Sequence, residues 1–136
     1  IKFSLFIPLF GKGNYTLQPV FIDDIAKAIC KFIDNPPKGK IIYELAGPEI
    51  FTYKELYKYI CLCLEIKRTY ISIPFGLSKI AAKFIEKTPF KIITYEQLLI
   101  LNEDNIMENT HKSFNNLNIQ PKDIRGIIKK IIKNYT

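Results

Sequence analysis

The chain has 136 residues and a mass of 15.8 kDa, the size of one ordinary domain, which argues against two full domains and predicts one core. Hydrophobic residues make up 48% and charged residues 24%, a balance that argues against disorder. The net charge is +7, but the basic residues are Lys apart from Arg68 and Arg125. Lacking the bidentate Arg fork that reads bases and phosphates, the chain is not expected to take nucleic acid as a partner.

The excess charge is concentrated in residues 120–136, which hold five basic groups and one acidic group. The 25 Ile and five Ala fit an AT-biased genome, and part of the Lys excess fits with them. Three cysteines, Cys30, Cys61 and Cys63, have no disulfide-framework spacing and point to reduced thiols in a cytosolic-type compartment. With His111 the only histidine, no zinc ligand set can be assembled, so no metal is expected. The first residue is Ile1. The chain is therefore expected either to have lost its start by processing or to begin inside a longer reading frame.

In chain order, the apolar run Phe3 to Phe10 is far shorter than the ~20 residues of a spanning helix and is broken by Pro8. It reads as a strand or packed loop. Residues 11–19 form a turn-rich loop, and Val20-Phe21-Ile22 is a short strand signal. Ile22, Ile25, Ala26, Ile29 and Ile33 then fall on one face of a helix, with Asp23 expected to N-cap it for roughly 0.5–2 kcal/mol. Asn35-Pro36-Pro37 ends the helix, since Pro36 disfavours α geometry in the residue before it.

Lys40 to Ala46 reads as a largely buried strand closed by Gly47-Pro48. Thr52 and Glu55 have capping-box spacing ahead of a helix that runs to about Glu65. Arg68 to Pro74 alternates with period two and reads as an edge strand. A helix from Phe75 is expected to bury Leu77, Ile80, Ala81 and Phe84. Another follows Thr94, which has capping-box spacing to Gln97, and a short helical turn lies between His111 and Gln120. Finally Ile124, Ile127, Ile128, Ile131, Ile132 and Tyr135 make an apolar stripe opposite Arg125, Lys129, Lys130 and Lys133. That helix is expected to pack its Ile face on the domain. The alternative is that Lys129, Lys130 and Lys133 contact a partner or an anionic membrane.

Chemistry-bearing patterns are sparse. Gly11-Lys12-Gly13 lacks the remainder of a phosphate loop, and no Tyr is followed four residues later by Lys. A nucleophile–base pair from Cys61 or Cys63 with His111 has no third orienting group suggested by spacing. Asp23 and Asp24 are explained more economically as a helix start than as a catalytic pair.

Gln18-Pro19-Val20-Phe21-Ile22-Asp23-Asp24-Ile25-Ala26 resembles the strand-to-helix junction of extended and atypical short-chain dehydrogenase/reductases, the NAD-dependent epimerase/dehydratase superfamily. Ala46-Gly47-Pro48-Glu49, the Thr52-Tyr53-Lys54-Glu55-Leu56 helix start, Ile73-Pro74, Thr94 to Leu98 and Leu101-x-x-Asp104-Asn105 follow in the family's order. Within the group they are most similar to the NADPH-binding accessory subunits of respiratory complex I and their bacterial relatives.

The resemblance implies an α/β fold. Residues 1–136 would be the helix-rich, substrate-side C-terminal portion of a Rossmann-type NAD(P)-binding protein, with a few short strands and about five helices. The N-terminal dinucleotide-binding half would lie outside this chain. NADP or NAD is then implied for the full-length protein and no cofactor for this chain alone, with no catalysis by the chain alone and no catalytic residue carried over. Asn14 and Gln18 correspond to the region facing the substrate cleft in sugar-nucleotide members. The implied partners are the N-terminal Rossmann half and complex I subunits. The implied location is cytoplasmic, or peripheral on the cytoplasmic or matrix face of a respiratory membrane. The alternative functions are the substrate-binding half of a sugar-nucleotide epimerase or dehydratase, and a basic interaction module.

Overall fold

The computed structural model describes residues 5–78, 95–101 and 103–135. In chain order its elements are β1 (Phe6–Phe10), β2 (Thr16–Leu17), α1 (Ile22–Asp34), β3 (Phe51–Thr52), α2 (Tyr53–Cys63), β4 (Thr69–Ile73), α3 (Tyr95–Ile100), a 3-10 turn (Phe114–Leu117) and α4 (Ile124–Tyr135). Residues 75–78 are also helical. Of the positions expected to be buried there, Leu77 is exposed, which corrects that expectation; Ile80, Ala81 and Phe84 and the Thr94 cap lie outside the described residues.

The chain divides into two compact units, residues 1–17 with 51–105 and residues 18–50 with 106–136. Each has its own buried cluster among the described residues, so the single core expected from length is replaced by two.

In the first unit, β1 alternates Ile7 and Leu9 inward with Phe6 and Pro8 outward, as the period-two geometry of a strand requires. It pairs in parallel with β4, from Phe6 opposite Thr69 to Phe10 opposite Ile73. The expected strand at 68–74 is therefore present. A parallel pair needs a long crossover, and α2 lies within it. The Thr52 hydroxyl accepts from Glu55 N at 3.1 Å while the Glu55 carboxylate accepts from Thr52 N at 2.8 Å, the capping box read from the sequence. Cys61 on α2 is buried with Ile7 and Leu9, and Tyr57, Ile66 and Tyr70 pack around them. Burial, then a hydrogen bond with Cys61 and the charge of that thiol, push the Tyr70 phenol up to about 12. β2 pairs antiparallel with β3, and Leu17 bridges to Asn105. The Asp104 carboxylate beside them accepts from Thr16 N and Thr16 Oγ1, both at 2.7 Å.

In the second unit, α1 begins at Ile22 after Phe21, whose backbone is extended. Val20 and Phe21 join no strand, which corrects the strand expected there. Asp23 is not the N-cap. The helix starts one residue before it, so its carboxylate lies within the first turn and meets Lys122 Nζ at 3.4 Å. The buried face of α1 is also not the one expected. Asp24 and Ala28 are buried and Ile25 and Phe32 half-buried, whereas Ile22, Ile29 and Ile33 are 70%, 51% and 73% exposed. Two overlapping apolar stripes occur on this helix, and packing of Ala28 with Phe114 and Ile119 selects the second.

The buried strand expected at 40–46 is reduced to one bridge, Tyr43 with Lys112. Glu44 N donates to Lys112 O at 2.8 Å, and the Tyr43 ring lies 4.8 Å from that of Phe32. With one residue paired there is no ladder to bury Ile41 and Ile42, which are exposed. The helical turn expected between 111 and 120 is the 3-10 turn.

Candidate interaction surface

Gln18 and Asn14 fall in different units. Asn14 is exposed. The Gln18 side chain is held at both ends by backbone within the second unit: its Nε2 donates to Gly47 O at 2.7 Å, and its Oε1 accepts from Met107 N at 3.0 Å. This amide acts as a clamp joining three segments, which the sequence spacing of 29 and 89 residues gave no means to foresee. Gly47 is required at the same junction. A Cβ there would stand 2.0 Å from the Pro19 carbonyl oxygen, and that atom is backbone that cannot swing aside.

Asp24 is the second junction. Fully covered by its surroundings, its carboxylate accepts from Lys27 Nζ and from Lys122 N, both at 2.8 Å. Burial raises its pKa, but the Lys27 hydrogen bond, the Lys122 amide and the two lysine charges outweigh that, and the net direction is down. One carboxylate thus ties α1 to the segment that leads into α4. Lys122 also lies over the Phe21 ring, its Nζ 4.8 Å from the centroid. The sequence singled out Asp23 of this pair. The residue that organises the unit is its neighbour.

The start of α4 is fixed by acids as well. Asp123 accepts from Arg125 N at 2.8 Å and Gly126 N at 3.1 Å, satisfying amides that a helix start leaves open. A hydrogen bond with Glu49, the Arg125 and Gly126 amides and the Arg125 charge, opposed by burial, hold the Asp123 carboxyl below its usual value. Arg125 Nε in turn donates to Glu49 at 2.8 Å, so the Gly47-Pro48-Glu49 turn anchors the helix.

Beyond that anchor, α4 bears no acid. Lys129, Lys130 and Lys133 are all exposed. Ile124, Ile127, Ile128 and Ile132 are only half-buried, and Ile131 is 46% exposed. The Ile stripe expected to pack on the domain does so incompletely. An open groove runs along this side, its apolar lining Phe21, Ile127 and Ile131 and its charged lining Lys122 and Lys130 with the carboxylates of Asp23 and Asp123. The described residues contain no group of three His, Cys, Asp or Glu placed to hold a metal ion. Among them no helix is long and apolar enough to cross a membrane. Cys61 and Cys63 lie in the first unit and His111 in the second.

Strands and helices in this order define an α/β protein, consistent with part of a Rossmann-type fold. The solved structure of AtPrR2 in apo form matches it with a TM-score of 0.60 and 21% identity, over 93% of this chain and 43% of that one. In sequence, the chain is similar to NADH dehydrogenase [ubiquinone] 1 alpha subcomplex subunit 9, mitochondrial, of Arabidopsis thaliana. The two are 29% identical over 141 residues, covering 96% of this chain and 35% of the relative. The chain therefore spans about a third of the length of the curated relative it matches. The likeness carried by the motifs between Gln18 and Asn105 is thus found along nearly the whole chain. No family model matches it.

Proposed function

We propose that this chain is the C-terminal, substrate-side portion of an atypical short-chain dehydrogenase/reductase-type protein that acts as an accessory or assembly subunit associated with respiratory complex I. The similarity to a complex I subunit over 96% of the chain carries the reading. The geometry supports a scaffolding role. Of the residues that carry the family resemblance, Gln18, Gly47 and Asp104 use their polar groups or small size to join segments of the fold, and Thr52 and Glu55 cap a helix. In this reading NADP or NAD is held by an N-terminal Rossmann half, and the assembled protein sits at the matrix or cytoplasmic face of a respiratory membrane.

Affinity purification of the tagged chain from gently solubilised membranes tests the association. Complex I subunits are expected to co-purify and to co-migrate on native gels, and their absence from both would overturn the proposal. The coding DNA upstream gives a second check. A Gly-x-x-Gly-x-x-Gly segment without Tyr-x-x-x-Lys agrees with an accessory subunit, whereas both together indicate an epimerase or dehydratase.

A further inference from the structure

We infer that the outer side of α4 docks on an anionic lipid bilayer. The helix carries Arg125, Lys129, Lys130 and Lys133 and neither Asp nor Glu. Arg125 is engaged by Glu49, which leaves the three lysines, all exposed, to set the charge of the helix beyond its first turn. The apolar side is not absorbed by the core of its unit. That core is formed by Ala28, Phe114 and Ile119, with Val20, Ile25, Phe32, Leu45 and Leu117 packed around it. None of the α4 isoleucines is fully buried, and Ile127 and Ile131 open onto the groove beside Lys130. The two acids of that groove are engaged, Asp23 by Lys122 and Asp123 by the amides of Arg125 and Gly126.

A helix with a half-open apolar side and cations alone on its polar side has the form that lies in a bilayer interface. Lysine stems run along the apolar surface while their ammonium groups reach the headgroups. The same chemistry fits a protein partner less well. Protein interfaces are enriched in Arg and aromatic anchors and depleted in Lys, and the outer side of α4 offers Ile and Lys. Charge complementarity therefore selects anionic phospholipid as the occupant. Each lysine near such a surface contributes about fivefold to partitioning, and salt weakens the attraction.

Co-sedimentation of the full chain with phosphatidylcholine vesicles, with and without a third of phosphatidylserine, tests this. Pelleting is expected with the anionic vesicles at low salt, with loss toward high salt. Lys129→Glu/Lys130→Glu is expected to lower partitioning by about 25-fold or more. Lys38→Glu/Lys40→Glu, an equal charge change at exposed positions outside α4 in the sequence, is expected to lower it by less than about threefold through net charge alone. Circular dichroism establishes that each variant is folded, and Lys129→Gln/Lys130→Gln replaces the first variant if it is not. The inference is overturned if the wild-type chain does not pellet with anionic vesicles, or if the two charge variants lose partitioning equally. Binding to polyglutamate without vesicle pelleting would also overturn it, assigning the surface to an acidic protein.

Discussion

At the scale of the residue, Asp24 joins two distant segments of its unit from a fully buried position. Its carboxylate has no solvent-exposed surface and accepts from a side chain three residues away and an amide 98 residues away. Asp24→Asn removes the charge from both bonds and is expected to destabilise the chain by about 1.5–3 kcal/mol near neutral pH. The pH dependence follows from the direction of the shift. The folded-state value lies below that of the unfolded chain, so the contribution is complete above the ordinary aspartate range near pH 4. It is lost as pH falls through the lowered value. Urea unfolding of both proteins from about pH 7 down to about pH 3 should show the gap closing; a gap of constant size would count against this account. A local reading of the sequence reached the acidic pair but not the choice between its members, because Lys122 N decides that from far along the chain. The hydrogen bonds of Gln18 were hidden for the same reason: its partners, at Gly47 and Met107, are backbone groups with no side-chain signature.

At the scale of the element, what depends on neighbours in sequence was legible. The Thr52–Glu55 box, the β4 alternation and the α4 stripe are patterns within a few residues, and each element is present where its pattern stands. Thr52→Ala should cost about 1 kcal/mol, read as a shift of the unfolding midpoint, while Glu55→Gln should retain most of the cap. An unchanged midpoint in Thr52→Ala would contradict the geometry. Facing and pairing were not legible in the same way. α1 carries two apolar stripes, and the choice of Ala28 over Ile29 is made by Phe114 and Ile119. The face is checked by substitution. Ile33→Lys should stay within about 0.5 kcal/mol of the parent, as exposed positions do, and Ala28→Leu should cost about 1–3 kcal/mol through overpacking. The reverse order would restore the face read from periodicity. Likewise the run at 40–46 has the composition of a strand, but among the described residues its pairing is a single bridge to Lys112.

At the scale of the molecule, the proposed role places dinucleotide binding in residues outside this chain. A fluorescence titration of the 136-residue chain with NADPH should accordingly show no saturable binding, and micromolar affinity would sink that assignment. The division into units has a consequence for the order of synthesis. The chain passes from one unit to the other after residues 17, 50 and 105, so neither is encoded as one continuous stretch. Every residue of the first unit has been translated once residue 105 is added. At this point the second unit still lacks Phe114, Ile119 and the Lys122 amide, the partners of Ala28 and Asp24. At a translation rate of about 5–20 residues per second, residues 106–136 take roughly 2–6 s to add. For that interval α1 is complete in sequence but has neither its core nor its buried ion pair's second donor. Translation therefore passes through an interval in which the first unit is complete in sequence while the second still waits for the residues that cover Ala28 and bind Asp24.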